Sequence, residues 1–273
     1  MGPVIATSRP AAPPGDRFAR MDSAAIRRLE ELADRAWPPF EVERRPGWEA
    51  RFSHGMHRRL NSATVWTADD LPGTVERLER WYRDRGMPAI FKLTGASAAG
   101  LDDHLAAAGY RPDARVSIMT APVSATEPPA GVLLSPEATP EWRDAFAAIS
   151  GYGPRRRRRL AELLDRIGLP AAYAAVRAGG RIVATGLAVA EGGHAGLFEM
   201  ATDPAHRGRG LAGRIRDGLL AWMTEGGVAT AYLQVLVGNR PAEHLYRSAG
   251  FEPRYEYWYR IEPGASTDRP PVA

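Results

Sequence analysis

The densest chemical signal in this 273-residue sequence is RGRGLAG, running from Arg207 to Gly213 at the opening of an amphipathic stretch. The first turn of a helix presents unpaired N–H groups with partial positive charge. Glycines at 208 and 210 would let that backbone approach a phosphate with no Cβ in the way. Arg207 and Arg209 add guanidinium charge, so the spacing predicts an anion site, with a glycine-rich connector that binds nothing as the alternative. A kinase-type phosphate loop needs Lys followed by Ser or Thr, and the chain's one lysine is Lys92. A dinucleotide fingerprint would follow the first strand of its unit, and this loop does not. The chain has no cysteine, which excludes disulfides, iron–sulfur clusters, thiolate metal sites and cysteine nucleophiles, and no metal is expected. A second cationic cluster, five successive arginines at 155–159, opens another amphipathic stretch. A solvated helix face is the first reading of it. Nucleic acid ranks last, because only Tyr152 lies close enough for stacking.

The elements that must position the loop follow from periodicity. In the second half, residues 131–135 read as a strand, and Trp142, Phe146 and Ile149 stripe one helix. Leu160, Leu163, Leu164 and Ile167 stripe another. Apolar strands follow at 171–176, 182–190 and 196–200, turned at Gly179-Gly180 and Gly192-Gly193 into an antiparallel meander. A helix at 210–223, a strand at 231–237, a helix striped by Ala242, Leu245, Tyr246 and Ala249, and a strand at 255–261 complete a mixed α/β order. Shifted by 141 residues the chain matches itself without gaps: Leu78, Trp81, Gly86, Ala108, Gly109 and Pro112 fall on Leu219, Trp222, Gly227, Ala249, Gly250 and Pro253. The first half accordingly reads as helix 75–82, strand 89–93, helix 101–108 and strand 115–119. With 44% apolar and 25% charged residues and a net charge of +4, composition is ordinary for a folded chain and leaves the partner open. Proline and glycine mark loose ends at 1–20 and 263–273 and a linker at 122–130, which bounds units at 21–121 and 131–262. With no apolar leader or 18-residue apolar run, no membrane partner is expected and a cytoplasmic location is.

These motifs resemble the GNAT superfamily of acyl-CoA-dependent N-acyltransferases. The family signature, Arg or Gln, two residues, Gly, one residue, then Gly or Ala, reads here Arg207, Gly210, Ala212. Phe198 to Pro204 is similar to the family's fourth strand entering a proline turn, and Asn239 to Phe251 is similar to its closing helix. The resemblance covers 132–261 and implies a fold of α/β (α+β) class, with two tandem GNAT-like domains, each a mixed, mostly antiparallel sheet flanked by helices. The first domain would be a degenerate copy. It also implies acetyl-CoA as co-substrate, with its pyrophosphate on the N–H groups of Gly208, Arg209, Gly210, Leu211 and Ala212 beside Arg207. The pantetheine arm would run along Met200, Ala201 and Thr202 and reach Asn239.

By the same resemblance Tyr246 is the general acid for the departing thiolate, with a core aromatic as its alternative role. Glu199 is the base for the amine, with an ordinary surface carboxylate as its alternative. His194 and His206 lie near in sequence, where a structural role is the commoner one. The arginine run would border the acceptor site, which makes an acidic acceptor or the CoA phosphates its second reading. In the first half the repeat register puts Trp66, Asp69, Asp70 and Leu105 where Arg207, Gly210, Leu211 and Tyr246 stand. Carboxylates there cap a helix and repel a pyrophosphate, so one working site is expected. The implied function is an N-acetyltransferase acting on a primary amine by direct attack in a ternary complex. A non-catalytic acyl-CoA-binding or regulatory protein is the alternative.

Overall fold

The structure is a computed structural model that describes residues 21–264. The expected loose N-terminus, and all but the first two residues of the expected tail, lie outside the described residues. In the first half the order is α1 (Ser23–Ala36), β1 (Glu41–Arg45), β2 (Trp48–Phe52), β3 (Ala63–Val65), α2 (Leu71–Arg83), β4 (Ile90–Leu93), α3 (Leu101–Ala107) and β5 (Arg111–Pro122). In the second it is β6 (Val132–Ser135), α4 (Pro140–Ile149), α5 (Pro154–Leu164), β7 (Ala171–Ala178), β8 (Arg181–Glu191), β9 (His194–Thr202), α6 (Leu211–Glu225), β10 (Thr230–Leu236), α7 (Arg240–Arg247) and β11 (Glu252–Ile261). Residues 123–130 form neither helix nor strand.

The second-half elements stand in the order read from periodicity. The meander β7–β8–β9 is antiparallel, and both glycines of each turn sit at positive φ, as primed hairpin turns require. In the first half the strand expected at 115–119 extends to Arg111–Pro122. Helix starts follow local chemistry: Asp22, Asp70 and Thr139 accept hydrogen bonds from the N–H groups of Ala25, Gly73 and Trp142 at 2.7, 3.0 and 3.2 Å.

The eleven strands among the described residues belong to one sheet, ordered β1-β2-β3-β4-β11-β5-β10-β9-β8-β7-β6. Every pairing is antiparallel except β3–β4 and β9–β10. The last strand of the chain, β11, lies between β4 and β5 of the first half, and β5 lies between β11 and β10 of the second. The series β4–α3–β5 and β10–α7–β11 share one element order, and the last strand of each lies beside the first strand of the other. Between β5 and β11 Arg115 Nε donates to Glu256 Oε2 at 2.9 Å, a pair 141 residues apart.

Alternation along the strands builds cores on both faces. On one face α1, α4 and α5 share a continuous core that crosses from first half to second, holding Trp37, Ile118, Trp142, Phe146, Leu187 and Phe198. On the other face the cores are separate. One holds Leu78, Tyr82, Phe91 and Leu105, and the other holds Leu197, Ile215, Leu219 and Phe251. A buried polar knot closes the junction: Lys92 of β4 pairs with Glu30 of α1, which accepts from Tyr255 Oη of β11 at 2.7 Å. No helix among the described residues is long and apolar enough to cross a membrane.

Candidate active site

The glycine loop leads into α6. Gly208 and Gly210 have φ of +74° and +73°, a region that costs other residues about 1–2 kcal/mol. A Cβ at either would meet nothing within 4 Å, so the demand is conformational and the space beside them is open. Gly210 is the N-cap of α6 and contributes no side-chain cap. The backbone N–H groups of residues 208–213 find no hydrogen-bond partner among the described residues, so several donors face solvent beside exposed Arg207 and Arg209. The matching helix start in the first half, α2, is closed by Asp70, which occupies its own Gly73 N–H.

Next to the loop the sheet opens. β9 and β10 pair in parallel from His194↔Thr230 to Leu197↔Leu233 and then separate, while β10 continues along β5 to Leu236. The β10-facing edge of Met200, Ala201 and Thr202 is thereby left unpaired. A bulge marks the start of that segment: Glu199 and Met200 together lie between the pairs Phe198↔Leu187 and Ala201↔Thr185. Glu199 adopts φ +49°, uncommon for a residue with a side chain. Across the bulge Gly186 has no room for a Cβ, which would collide with Ile215 and Met200. In the first half the corresponding edge is covered, because Ala98 N–H donates to Val65 C=O at 2.9 Å.

The separation of β9 and β10 opens into a cleft of about 180 Å³ lined by Glu199, Met200, Asn239 and Tyr246 together with residues of the first half. Tyr246 is 7% exposed, meets Phe251 edge-on at 5.9 Å, and has its phenol pushed up to about 12 by burial, with Arg216 pulling it back. It therefore carries its proton at neutral pH. Its ring packs in the core and also lines the cleft. Glu199 is not an exposed surface carboxylate. Its side chain is 7% exposed and meets Arg59 at 3.2 Å. Burial raises its affinity for a proton, and Arg59 and then Arg156 pull back. Asn239 caps α7, accepting from Ala242 N–H at 3.4 Å.

His194 and His206 do not line this cleft. His194 Nδ1 sits 3.1 Å from Gly192 O at a hairpin turn, and His206 Nδ1 sits 3.2 Å from Asp203. The arginine run divides by helical face. Arg155, Arg157 and Arg158 are exposed, while Arg159 lies over Phe40 at 5.7 Å. Arg156 stacks on Tyr152 at 4.1 Å and donates to Met56 C=O at 2.8 Å. Periodicity missed the cleft's other wall, His57, Arg58 and Arg59, because 54–60 lies in a turn with no apolar rhythm. The available signal was compositional: HGMHRRL places two histidines and two arginines in seven residues. Among the described residues no cluster of three or more His, Asp or Glu could hold a metal ion.

Comparison with known proteins agrees with this architecture. A solved GCN5-related N-acetyltransferase from Kribbella flavida superposes with a TM-score of 0.66 at 19% identity, over 87% of this chain and 95% of its own. A tandem GNAT protein from the clavulanic acid biosynthesis pathway superposes with a TM-score of 0.55 at 14% identity, over 71% of this chain and 70% of its own. At these identities the likeness shows the fold. In sequence the chain is 30% identical over 245 residues to the uncharacterized N-acetyltransferase YobR of Bacillus subtilis, covering 87% of this chain and 98% of that protein. A family model described as probable histone acetyltransferase Rv0428c C-terminal matches residues 23–260. The chain thus belongs to that family and is a GNAT-type acetyltransferase, for which family membership implies acetyl-CoA as acyl donor.

Proposed function

We propose that the chain transfers an acetyl group from acetyl-CoA directly to a primary amine in a ternary complex, at one site in its second half. The observation that carries this reading is the convergence of three features in one place. These are the unpartnered N–H groups of 208–213, the unpaired edge of β9, and a cleft that brings Glu199 and Tyr246 together. The residues fit the donor. Arg207, Gly208, Arg209, Gly210, Leu211 and Ala212 would hold the pyrophosphate, and Met200, Ala201 and Thr202 would pair with the pantetheine arm as an added strand, with Asn239 beside it. An amine attacking the thioester carbonyl forms the C–N bond and breaks the C–S bond. The excess amine proton passes to Glu199, directly or through water, and Tyr246 returns a proton to the thiolate. Water resets both groups. A buried carboxylate with raised proton affinity and a protonated buried phenol suit those two tasks.

In the same reading the chain is two tandem GNAT-like units, 21–121 and 131–262, joined through 122–130, and the first is a degenerate copy. The closed start of α2 at Asp70 and the covered edge at Val65 support the loss of a second donor site. Thiol release from acetyl-CoA tests the function. It should accelerate on addition of primary amines, and binding without any amine-dependent release would favour the non-catalytic acyl-CoA-binding alternative.

A further inference from the structure

Unpartnered polar atoms gather at and behind the cleft wall that His57 and Arg59 form. His57 is 6% exposed, and neither of its ring nitrogens has a hydrogen-bond partner; the Nε atoms of Arg59 and Arg156 and the Nε1 of Trp37 share that condition. Their contacts tie them into one cluster: Trp37 meets the His57 ring edge-on at 6.3 Å, and Arg59 lies over Trp37 at 5.6 Å. A buried polar atom without a partner costs about 1–3 kcal/mol, so a group of them beside a cleft points to a ligand that supplies the partners.

The turn carrying His57 is built to hold it still. Asn61 Nδ2 donates to the His57 C=O at 2.7 Å, and Asn61 Oδ1 accepts from the N–H groups of Ser53 and Gly55 at 2.8 and 2.9 Å. Arg156 fastens the same turn at Met56 C=O. A histidine so fixed is a preorganised contact. The charged groups bearing on its ring are Arg59, from its own turn, and Arg156, from α5, and with burial they hold the imidazole neutral, well below its usual range. A neutral imidazole between two cations always keeps one nitrogen lone pair free to accept, and it is a poor acceptor of a whole proton.

We propose that His57 accepts a hydrogen bond from the N–H of the acceptor amine, so that the acceptor site is completed by the first half of the chain. This rests on the acetyl-transfer reading above. A neutral primary amine has two N–H bonds: one faces Glu199, which takes the proton released on attack, and the other is held by His57. The lone pair is then left to point at the thioester. The two arginines that also bear on Glu199 make the wall unfavourable to an ammonium ion and favour the neutral, attacking form of the acceptor.

The test uses two stable CoA conjugates, one in which CoA sulfur is joined through a CH2–C(=O) bridge to benzylamine, and one identical except that the amide nitrogen carries a methyl group. The first offers an N–H where the acceptor would, and the second offers none. By titration calorimetry the full-length protein should bind the N–H conjugate about tenfold more tightly than the N-methyl one, the worth of one hydrogen bond to a buried acceptor. In His57→Phe that preference should vanish while acetyl-CoA affinity is unchanged, and His57→Gln, which keeps an acceptor oxygen, should retain part of it. A preference that persists in His57→Phe would mean the methyl group merely clashes, and that result overturns the assignment. Should His57→Phe fail to fold, His57→Leu takes its place in the comparison, and equal binding of the two conjugates by the wild type refutes the assignment in any case. Failure of the wild type to bind acetyl-CoA would instead sink the underlying reading.

Discussion

Replacing Gly210 separates the conformational demand of the loop from its electrostatic one. Alanine at φ +73° should cost stability by about 1–2 kcal/mol, because the left-handed region crowds Cβ against the following carbonyl even where the space around it is empty. Aspartate tolerates that region better and is a favoured N-cap, so Gly210→Asp should be nearer wild type in stability. Binding should reverse the order. Two unit charges 4 Å apart repel by about 1 kcal/mol in water and about 4 kcal/mol at an effective dielectric constant of 20. Gly210 is exposed, so the penalty on a pyrophosphate held there lies between those limits, a loss in affinity of roughly 5- to 700-fold. The assay is a melting curve with and without acetyl-CoA. A ligand at a hundredfold excess over Kd stabilises by about 2.7 kcal/mol, which for a chain of this size raises Tm by roughly 5–10 °C. Wild type and Gly210→Ala should show that shift, each from its own baseline, and Gly210→Asp should lose most of it. A full shift in Gly210→Asp would refute the placement of the pyrophosphate.

The other predictions touch the acid, the buried histidine, the pairing of β11 with the first half, and the number of donor sites. Tyr246→Phe should lower turnover by roughly 10²-fold or more with acetyl-CoA affinity nearly unchanged, since the ring still packs on Phe251; full activity would leave Tyr246 a core residue only. His57 is held neutral in the folded chain while an unfolded histidine binds a proton below pH 6.5. Stability should therefore fall by about 1.4 kcal/mol per pH unit below that point, and urea melts of His57→Phe between pH 7 and 5 should show a smaller acid loss than wild type; parallel losses would contradict the buried neutral state. Residues 131–273 expressed alone lack β4 and β5, which flank β11, so they should neither fold cooperatively nor bind acetyl-CoA, and a well-folded, active fragment would show the pairing of β11 with the first half to be dispensable. Calorimetric titration of the whole chain should give one acetyl-CoA per chain, and two sites of similar affinity would contradict the blocking role of Asp70 and the covered edge at Val65.

Local chemistry settled much of this protein before any long-range contact was known. The glycines at 208 and 210 announce a left-handed turn before a helix, paired glycines announce hairpins, and the stripes of α4 to α7 give their element order, because each depends on neighbours within a few residues. The self-match at an offset of 141 residues is legible for the same reason, since it rests on residue types and turns that obey local rules. The elements before α2 were harder to see: β1 reads EVERR, a charged edge strand with little alternation to betray it. Only the tertiary structure decided which strands lie together, because β5 and β11 fit either half by pattern, and their placement follows from packing between residues more than 100 apart. Only it could bring His57 and Arg59 to Glu199, some 140 positions away. It also turned Glu199 from one carboxylate among many into a buried one with a guanidinium partner, since burial and pairing belong to the assembled sheet and are not written in any stretch of sequence.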